Sequence, residues 1–432
     1  MLSAANRMRA RRGARRCAAA GAFISGAILL TAASAAPSPL EVLRSGASDR
    51  GFERAESVRA FAFPQDHGPH PSFRHEWWYF TGHLQARDGE RFGFEVTFFR
   101  VALAPAGAET RESAEASTAG ESTVGESVAG ESVSQWRARQ IYVAHFAVTD
   151  IGRRKFDSTQ RVARDALGLS GAQSSPFRVW LGGWSVAAQD DGNWRLRAGD
   201  CAYRLDLRLH PLLPPVLNGD RGLSVKSDEP GNASYYYSIP RIAVEGEIVR
   251  GVCPGRSAEA VGEQASGEQA IGEQGGGAAR SLDVHGNAWL DREWGSGSLG
   301  AHQAGWDWFA LQLADGSALM FYALRDEHGA PDRHSAGTWV DRSGRAHALV
   351  SRDVHIEVVD HWTSPDGARY PSRWRLSVPS LGLDVSAVPV LADQELETTP
   401  RYWEGDVDVG GTLNGKPISG EGYVELVGYA GR

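Results

Sequence analysis

The chain has 432 residues, 45 basic against 53 acidic side chains for a net charge of −8, and 14 tryptophans. Its length suits two domains of ordinary size, and the acidic balance argues against a nucleic-acid or anionic-membrane surface. Three cysteines are too few for a disulfide framework, although Cys201 and Cys253 could pair in an oxidising compartment.

The first forty residues carry no acidic side chain but six arginines (Arg7, Arg9, Arg11, Arg12, Arg15 and Arg16), followed by the uncharged stretch Ala18 to Ala33 and the tripeptide Ala33-Ser34-Ala35. A basic region, a short apolar region and a small-residue cleavage site predict a secretory signal peptide over residues 1–35. The expected location is therefore periplasmic or secreted. The apolar run falls short of the roughly 20 residues of a spanning helix, and no later stretch approaches that length, so no transmembrane span is expected in the mature chain.

From His75 the pattern has period two, the signature of β-strands. Glu76, Trp78, Phe80 and Leu84 share one strand face, while Trp77, Tyr79, Thr81 and His83 share the other. The turn Arg87-Asp88-Gly89 and a second alternating run, Phe92 to Phe99, complete a predicted hairpin. Two segments, about 106–135 and 255–280, repeat Gly-Glu-Ser and Gly-Glu-Gln every five residues. Neither can bury an apolar face, so both are expected to be disordered loop insertions. The hairpin design returns at Trp306 to Leu313, Ala314-Asp315-Gly316 and Ala318 to Arg325. Likewise Trp194-Arg195-Leu196 precedes Leu205-Asp206-Leu207, as Trp374-Arg375-Leu376 precedes Leu383-Asp384-Val385. A duplication is expected, with an N-terminal domain over 36–239, a C-terminal domain over 240–432 and a boundary near Ile239-Pro240. Each half then suits a closed antiparallel barrel of about eight strands, whose interior can hold a small ligand. Tyr235, Tyr236 and Tyr237 either edge a pocket or seal the domain junction.

Three separated motifs carry a family resemblance: His75-Glu76-Trp77-Trp78-Tyr79-Phe80-Thr81-Gly82-His83-Leu84, Trp289-Leu290-Asp291-Arg292-Glu293-Trp294-Gly295 and Gly422-Tyr423-Val424-Glu425-Leu426. Together they resemble the AttH-like family, which includes the carotenoid 1,2-hydratases (hydroxyneurosporene synthases). The resemblance spans roughly residues 60–430 apart from the insertions. It implies an all-β fold of two lipocalin-like barrels in tandem. It also implies either an exported carrier working with an ABC transporter permease or an enzyme acting on polyenes.

The tryptophans concentrate beside carboxylates: Glu76 with Trp77 and Trp78, Asp291 and Glu293 with Trp289 and Trp294, Asp307 between Trp306 and Trp308. A carboxyl group pressed against aromatic faces loses hydration and is kept protonated, while the π-faces tolerate a developing cation. Such a set can hydrate an isolated alkene without metal or organic cofactor. The expected catalytic candidates are Asp291, Glu293, Asp307 and Glu76, with Trp77, Trp78, Tyr79, Trp289, Trp294, Trp306, Trp308 and Tyr322 lining the ligand site. In the hydratases that the chain resembles, an aromatic-x-Asp segment with tyrosine as its aromatic residue holds the acid; Asp291 occupies that place, but Trp289 replaces the tyrosine. Asp291 and Glu293 could instead form a buried ion pair with Arg292. The sequence favours an exported carrier of a lipid, isoprenoid or polyene, with the hydro-lyase as the alternative.

Overall fold

The structure, a computed structural model, describes residues 50–105, 139–251, 279–297 and 299–430. The expected signal peptide over residues 1–35 and nearly all of the two Gly-Glu insertions lie outside these residues. The described chain is all-β, and none of its helices is long and apolar enough to cross a membrane.

Two antiparallel sheets account for its strands. The N-terminal strands are β1 (His75–Ala86), β2 (Arg91–Ala102), β3 (Gln140–Asp150), β4 (Lys155–Arg164), β5 (Ser170–Ser174), β6 (Phe177–Leu181), β7 (Trp184–Ala188), β8 (Trp194–Gly199) and β9 (Tyr203–Pro211). After the short β10 (Val216–Leu217) and β11 (Leu223–Val225) come the long β12 (Ala233–Arg250) and β13 (Arg280–Gly295). They form one sheet in the order β4-β3-β2-β1-β13-β12-β9-β8-β7-β6-β5, with β10 and β11 on β12. The second sheet comprises β14 (Gln303–Leu313), β15 (Ala318–Asp326), β16 (Ala336–Val340), β17 (Ala346–Val350), β18 (His355–Thr363), β19 (Arg369–Val378), β20 (Leu383–Pro389), β21 (Glu395–Leu396), β22 (Tyr402–Leu413) and β23 (Lys416–Val427). Its order is β17-β16-β15-β14-β23-β22-β20-β19-β18, with β21 on β22.

Both predicted hairpins form. Gly89 and Gly316 take φ of +89° and +95°, the left-handed conformation that the two Asp-Gly turns require. The two sheets carry matching diagonal ion pairs: Arg195 grips Asp206 with two bonds of 2.7 Å, and Arg375 grips Asp384 at 2.8 and 2.6 Å. The expected domain boundary, however, lies inside a strand. β12 passes through Ile239-Pro240, and β13 adds a further strand to the first sheet as far as Gly295. The change of sheet comes between Gly295 and Gln303. Pro240 resembled a stop because it cannot donate to a ladder, but a register shift between Ile239 and Ile242 absorbs it as a bulge.

Each sheet curls around a core of its own. The first is filled by Trp78, Phe80, Phe94, Phe98, Leu207 and Trp294, the second by Phe309, Leu311, Trp374, Leu376, Trp403 and Val424. These barrel centres are packed with side chains rather than left open for a guest. A third apolar cluster, including Tyr79, Tyr236, Trp289, Trp308, Met320 and Tyr322, draws on both sheets and fills the space between them.

Candidate active site

Strand alternation sends successive side chains to opposite faces, so each central strand has one side in its barrel core and one toward the other sheet. On β1, Trp77 and Tyr79 point away from the core that holds Trp78 and Phe80; on β13, Asp291 and Glu293 point away from the core that holds Leu290 and Trp294. From the second sheet come Trp306 and Trp308 of β14, Tyr322 and Leu324 of β15, and Glu425 of β23. With Phe99, Lys226 and Tyr236 they enclose a cavity of about 100 Å³. Trp77, Phe99 and Trp306 are only half-buried and mark its open side.

Asp291 is buried in this wall among three donors. Trp289 Nε1 donates to Oδ1 at 2.7 Å, Ser238 Oγ donates to Oδ1 at 2.5 Å, and the Tyr236 hydroxyl donates to Oδ2. The Tyr236 oxygen in turn accepts from Trp308 Nε1 at 3.1 Å. Burial pushes the Asp291 carboxyl up to about 6, because desolvation of the charged form outweighs the three donors. Glu293 is engaged differently: Lys226 Nζ lies 3.0 Å from Oε1, which also accepts from Ser234. The Lys226 ammonium stands 4.1 Å from the Tyr322 ring centroid, and burial, which would lower its pKa, is overcome by Glu293. Glu425 accepts from Trp306 Nε1 at 2.8 Å, and burial pushes it up to about 7.

Four of the residues expected at the site lie elsewhere. Glu76 and Trp78 face the first barrel core, where the Arg292 guanidinium lies 3.9 Å from the Trp78 ring centroid and pairs with Glu76. Burial would raise the Glu76 carboxyl, but Arg292 and Arg100 hold it well below the usual carboxylate range, so it is an ionised structural anion. Trp294 stacks on His70 with centroids 3.7 Å apart, also on the barrel side. Asp307 faces the second barrel core, bonded by Arg325 Nε at 2.8 Å and by the Tyr429 hydroxyl at 3.0 and 3.1 Å. Burial still raises its pKa, yet this pairing makes it part of a structural network. The remaining candidates, Asp291, Glu293, Trp77, Tyr79, Trp306, Trp308 and Tyr322, converge on the cavity wall, with Trp289 behind Asp291. The Arg292 partner expected for Asp291 and Glu293 is turned to the opposite face, where it serves Glu76.

A family model for AttH-like proteins matches residues 54–429. The chain belongs to the AttH-like family. A solved structure from Nitrosomonas europaea, assigned as AttH, is 30% identical and superposes with a TM-score of 0.69 over 88% of this chain and 100% of its own. Kievitone hydratase from Nectria haematococca shares the fold, at 14% identity and a TM-score of 0.57 over 88% of this chain and 97% of its own. No curated protein matches in sequence. In this AttH-like chain a phenol reaches Asp291 from the adjacent strand β12. The β12–β13 register places Tyr236 opposite Glu293 and Ser238 opposite Asp291, delivering both hydroxyls to the same carboxylate. Parity alone distinguishes Tyr236 from Tyr235 and Tyr237, which enter the barrel core, but choosing its face required knowing that β12 pairs with β13. Lys226 precedes β12 in an irregular segment and carries no sequence signal. Among the described residues no group of histidine, cysteine, aspartate or glutamate side chains is arranged to hold a metal ion.

Proposed function

We propose that this protein binds the apolar end of a hydrophobic molecule between its two sheets and adds water to an isolated alkene there, with Asp291 as proton donor. The observation that carries the proposal is a desolvated carboxyl, raised to about 6, set in an aromatic cavity beside a phenol. A proton on Oδ2 reverses the bond to Tyr236, whose own hydroxyl then turns toward the cavity. The acid reaches the alkene through that phenol or directly. Trp308 and Tyr79 present π-faces to the developing cation, with the Tyr79 ring centroid 5.0 Å from that of Trp308. The Lys226 charge, which would oppose a cation, is neutralised by Glu293.

The cavity is smaller than the roughly 300–1,000 Å³ of sites that swallow whole ligands. A volume of about 100 Å³ matches a branched unit of ~four or five carbons, about three to four waters of liquid volume. With both barrel centres filled, this favours gripping one end of the ligand over enclosing all of it. A trisubstituted alkene of the prenyl type fits, because its protonation yields a tertiary cation.

The test is conversion of a prenylated phenol to its tertiary alcohol, followed by mass. The wild type is expected to turn over and Asp291→Asn to lose about 100-fold or more while remaining folded. Turnover retained by Asp291→Asn, or absent from the wild type, overturns the reading. Export and partnership with an ABC transporter permease belong to the same proposal. The disulfide at Cys201 supports an oxidising compartment, and N-terminal sequencing of the chain recovered from periplasm or medium checks it.

A further inference from the structure

Addition of water needs a second group, because the water that captures the cation must lose a proton as its C–O bond forms. We infer that Glu425 is that group, a catalytic base facing Asp291 across the cavity. This rests on the hydration reading above.

Three carboxyl groups stand in the cavity wall, and their partners separate them. Glu293 is consumed by Lys226 and Ser234. Asp291 is held by Tyr236, Ser238 and Trp289. Glu425 has one side-chain donor, Trp306, which fixes Oε2 at 2.8 Å. It lies deep between the sheets, yet it keeps accessible surface, and it stands in the cavity wall. It also comes from β23 of the second sheet, whereas Asp291 comes from β13 of the first, so acid and base approach from opposite walls. The charged and titratable groups around Glu425 are Asp291 and Glu293 across the cavity, Lys226 beside Glu293, Glu404 opposite it on β22, Glu95 from β2, and the tyrosines Tyr79 of β1 and Tyr402 of β22. Lys226, the cation in this set, pairs with Glu293, so no positive charge in it holds Glu425 ionised and the carboxylate can accept a proton.

The step balances without any further reactant. The Asp291 proton goes to the less substituted alkene carbon and the π-pair becomes the new C–H bond. Water adds to the tertiary cation and passes one proton to Glu425. Asp291 is left as carboxylate and Glu425 as carboxylic acid, and one proton transfer between them resets the site. The product is the alkene plus water, a tertiary alcohol.

Isotope exchange separates the two roles, because protonation followed by return of a proton to Asp291 writes solvent deuterium into recovered alkene without any water capture. The experiment incubates a prenylated phenol in D₂O with the wild type, Glu425→Gln and Asp291→Asn. The expected result is hydration lowered about 100-fold in Glu425→Gln with deuterium still entering recovered alkene, and loss of both in Asp291→Asn. Hydration by Glu425→Gln within about threefold of wild type overturns the inference but leaves the hydration reading standing, as does loss of hydration and exchange together. A wild type that neither hydrates nor exchanges overturns both. The wild type alone gives a second measurement that needs no variant to fold: lowering the pH to 5 protonates Glu425, so hydration falls while exchange persists. Parallel loss of the two signals contradicts the assignment.

Discussion

Glu76 and Glu95 are both fully buried carboxyl groups, on adjacent strands, and pH acts on them in opposite directions. Glu76 is lowered by Arg292 and Arg100 against the effect of burial, so its stabilisation is present above an unfolded value near 4.5 and is lost as pH falls below that. Glu95 faces the second sheet, and neither of its oxygens has a well-formed hydrogen bond; burial outweighs the lowering effect of Thr97. Burial pushes it up to about 8, so its contribution is favourable below 4.5 and is lost as pH rises toward 8. Two substitutions should therefore differ in sign. Glu76→Gln is expected to cost about 3–5 kcal/mol at pH 7 by leaving two buried guanidinium groups without their anion. Glu95→Gln is expected to gain about 3 kcal/mol at pH 7 and nothing below pH 4.5. Urea unfolding at both pH values checks this, and a stabilising Glu76→Gln would contradict the ion-pair account. In the cavity, burial pushes Asp291 up to about 6 and Glu425 up to about 7, so both titrate near neutrality and a bell-shaped hydration profile is expected.

At the scale of the strand, the rule that side chains alternate does most of the functional sorting. It separates Tyr236, whose hydroxyl serves Asp291, from Tyr237, whose hydroxyl lies 2.6 Å from His67 Nδ1 in the barrel core. Tyr236→Phe is expected to lower turnover about 100-fold, at a stability cost of about 1–3 kcal/mol from the two bonds that its hydroxyl makes. Tyr237→Phe is expected to cost about 1–2 kcal/mol of stability and leave turnover near wild type. Thermal melts and rates on the same samples check both, and equal effects on activity would mean that the faces are wrongly assigned. The same parity was already written in the sequence: Trp78 is out of phase with Trp77 and Tyr79, as Trp294 is with Asp291 and Glu293. Tryptophan beside carboxylate was the stronger signal to the eye, and it pooled both faces into one site. The Asp-Gly hairpins were legible because only a left-handed glycine closes those turns. The domain boundary was not, because nothing local to Pro240 reveals the bulge that lets β12 continue past it.

Across the whole molecule, the packing of two curled sheets explains where the cavity lies. Each half closes its own core, and the strands at the middle of each sheet keep a second apolar face that must be covered; the two sheets cover each other. Period-two patterning revealed strands and barrels, but a strand buried on both sides does not tell which side holds a guest. That information resides in the pairing of the sheets, through contacts as remote in sequence as Tyr79 with Glu404 and Trp306 with Glu425. Lipophilic character was therefore readable, whereas the seat of the ligand was not. The most direct measurement is a crystal structure with a bound prenylated phenol. The account predicts the prenyl carbons against Trp308 and Tyr79, within reach of the Tyr236 hydroxyl, with both barrel cores unchanged. Density for the probe among Phe80, Phe98 and Trp294, or in the core around Trp374 and Trp403, would contradict it.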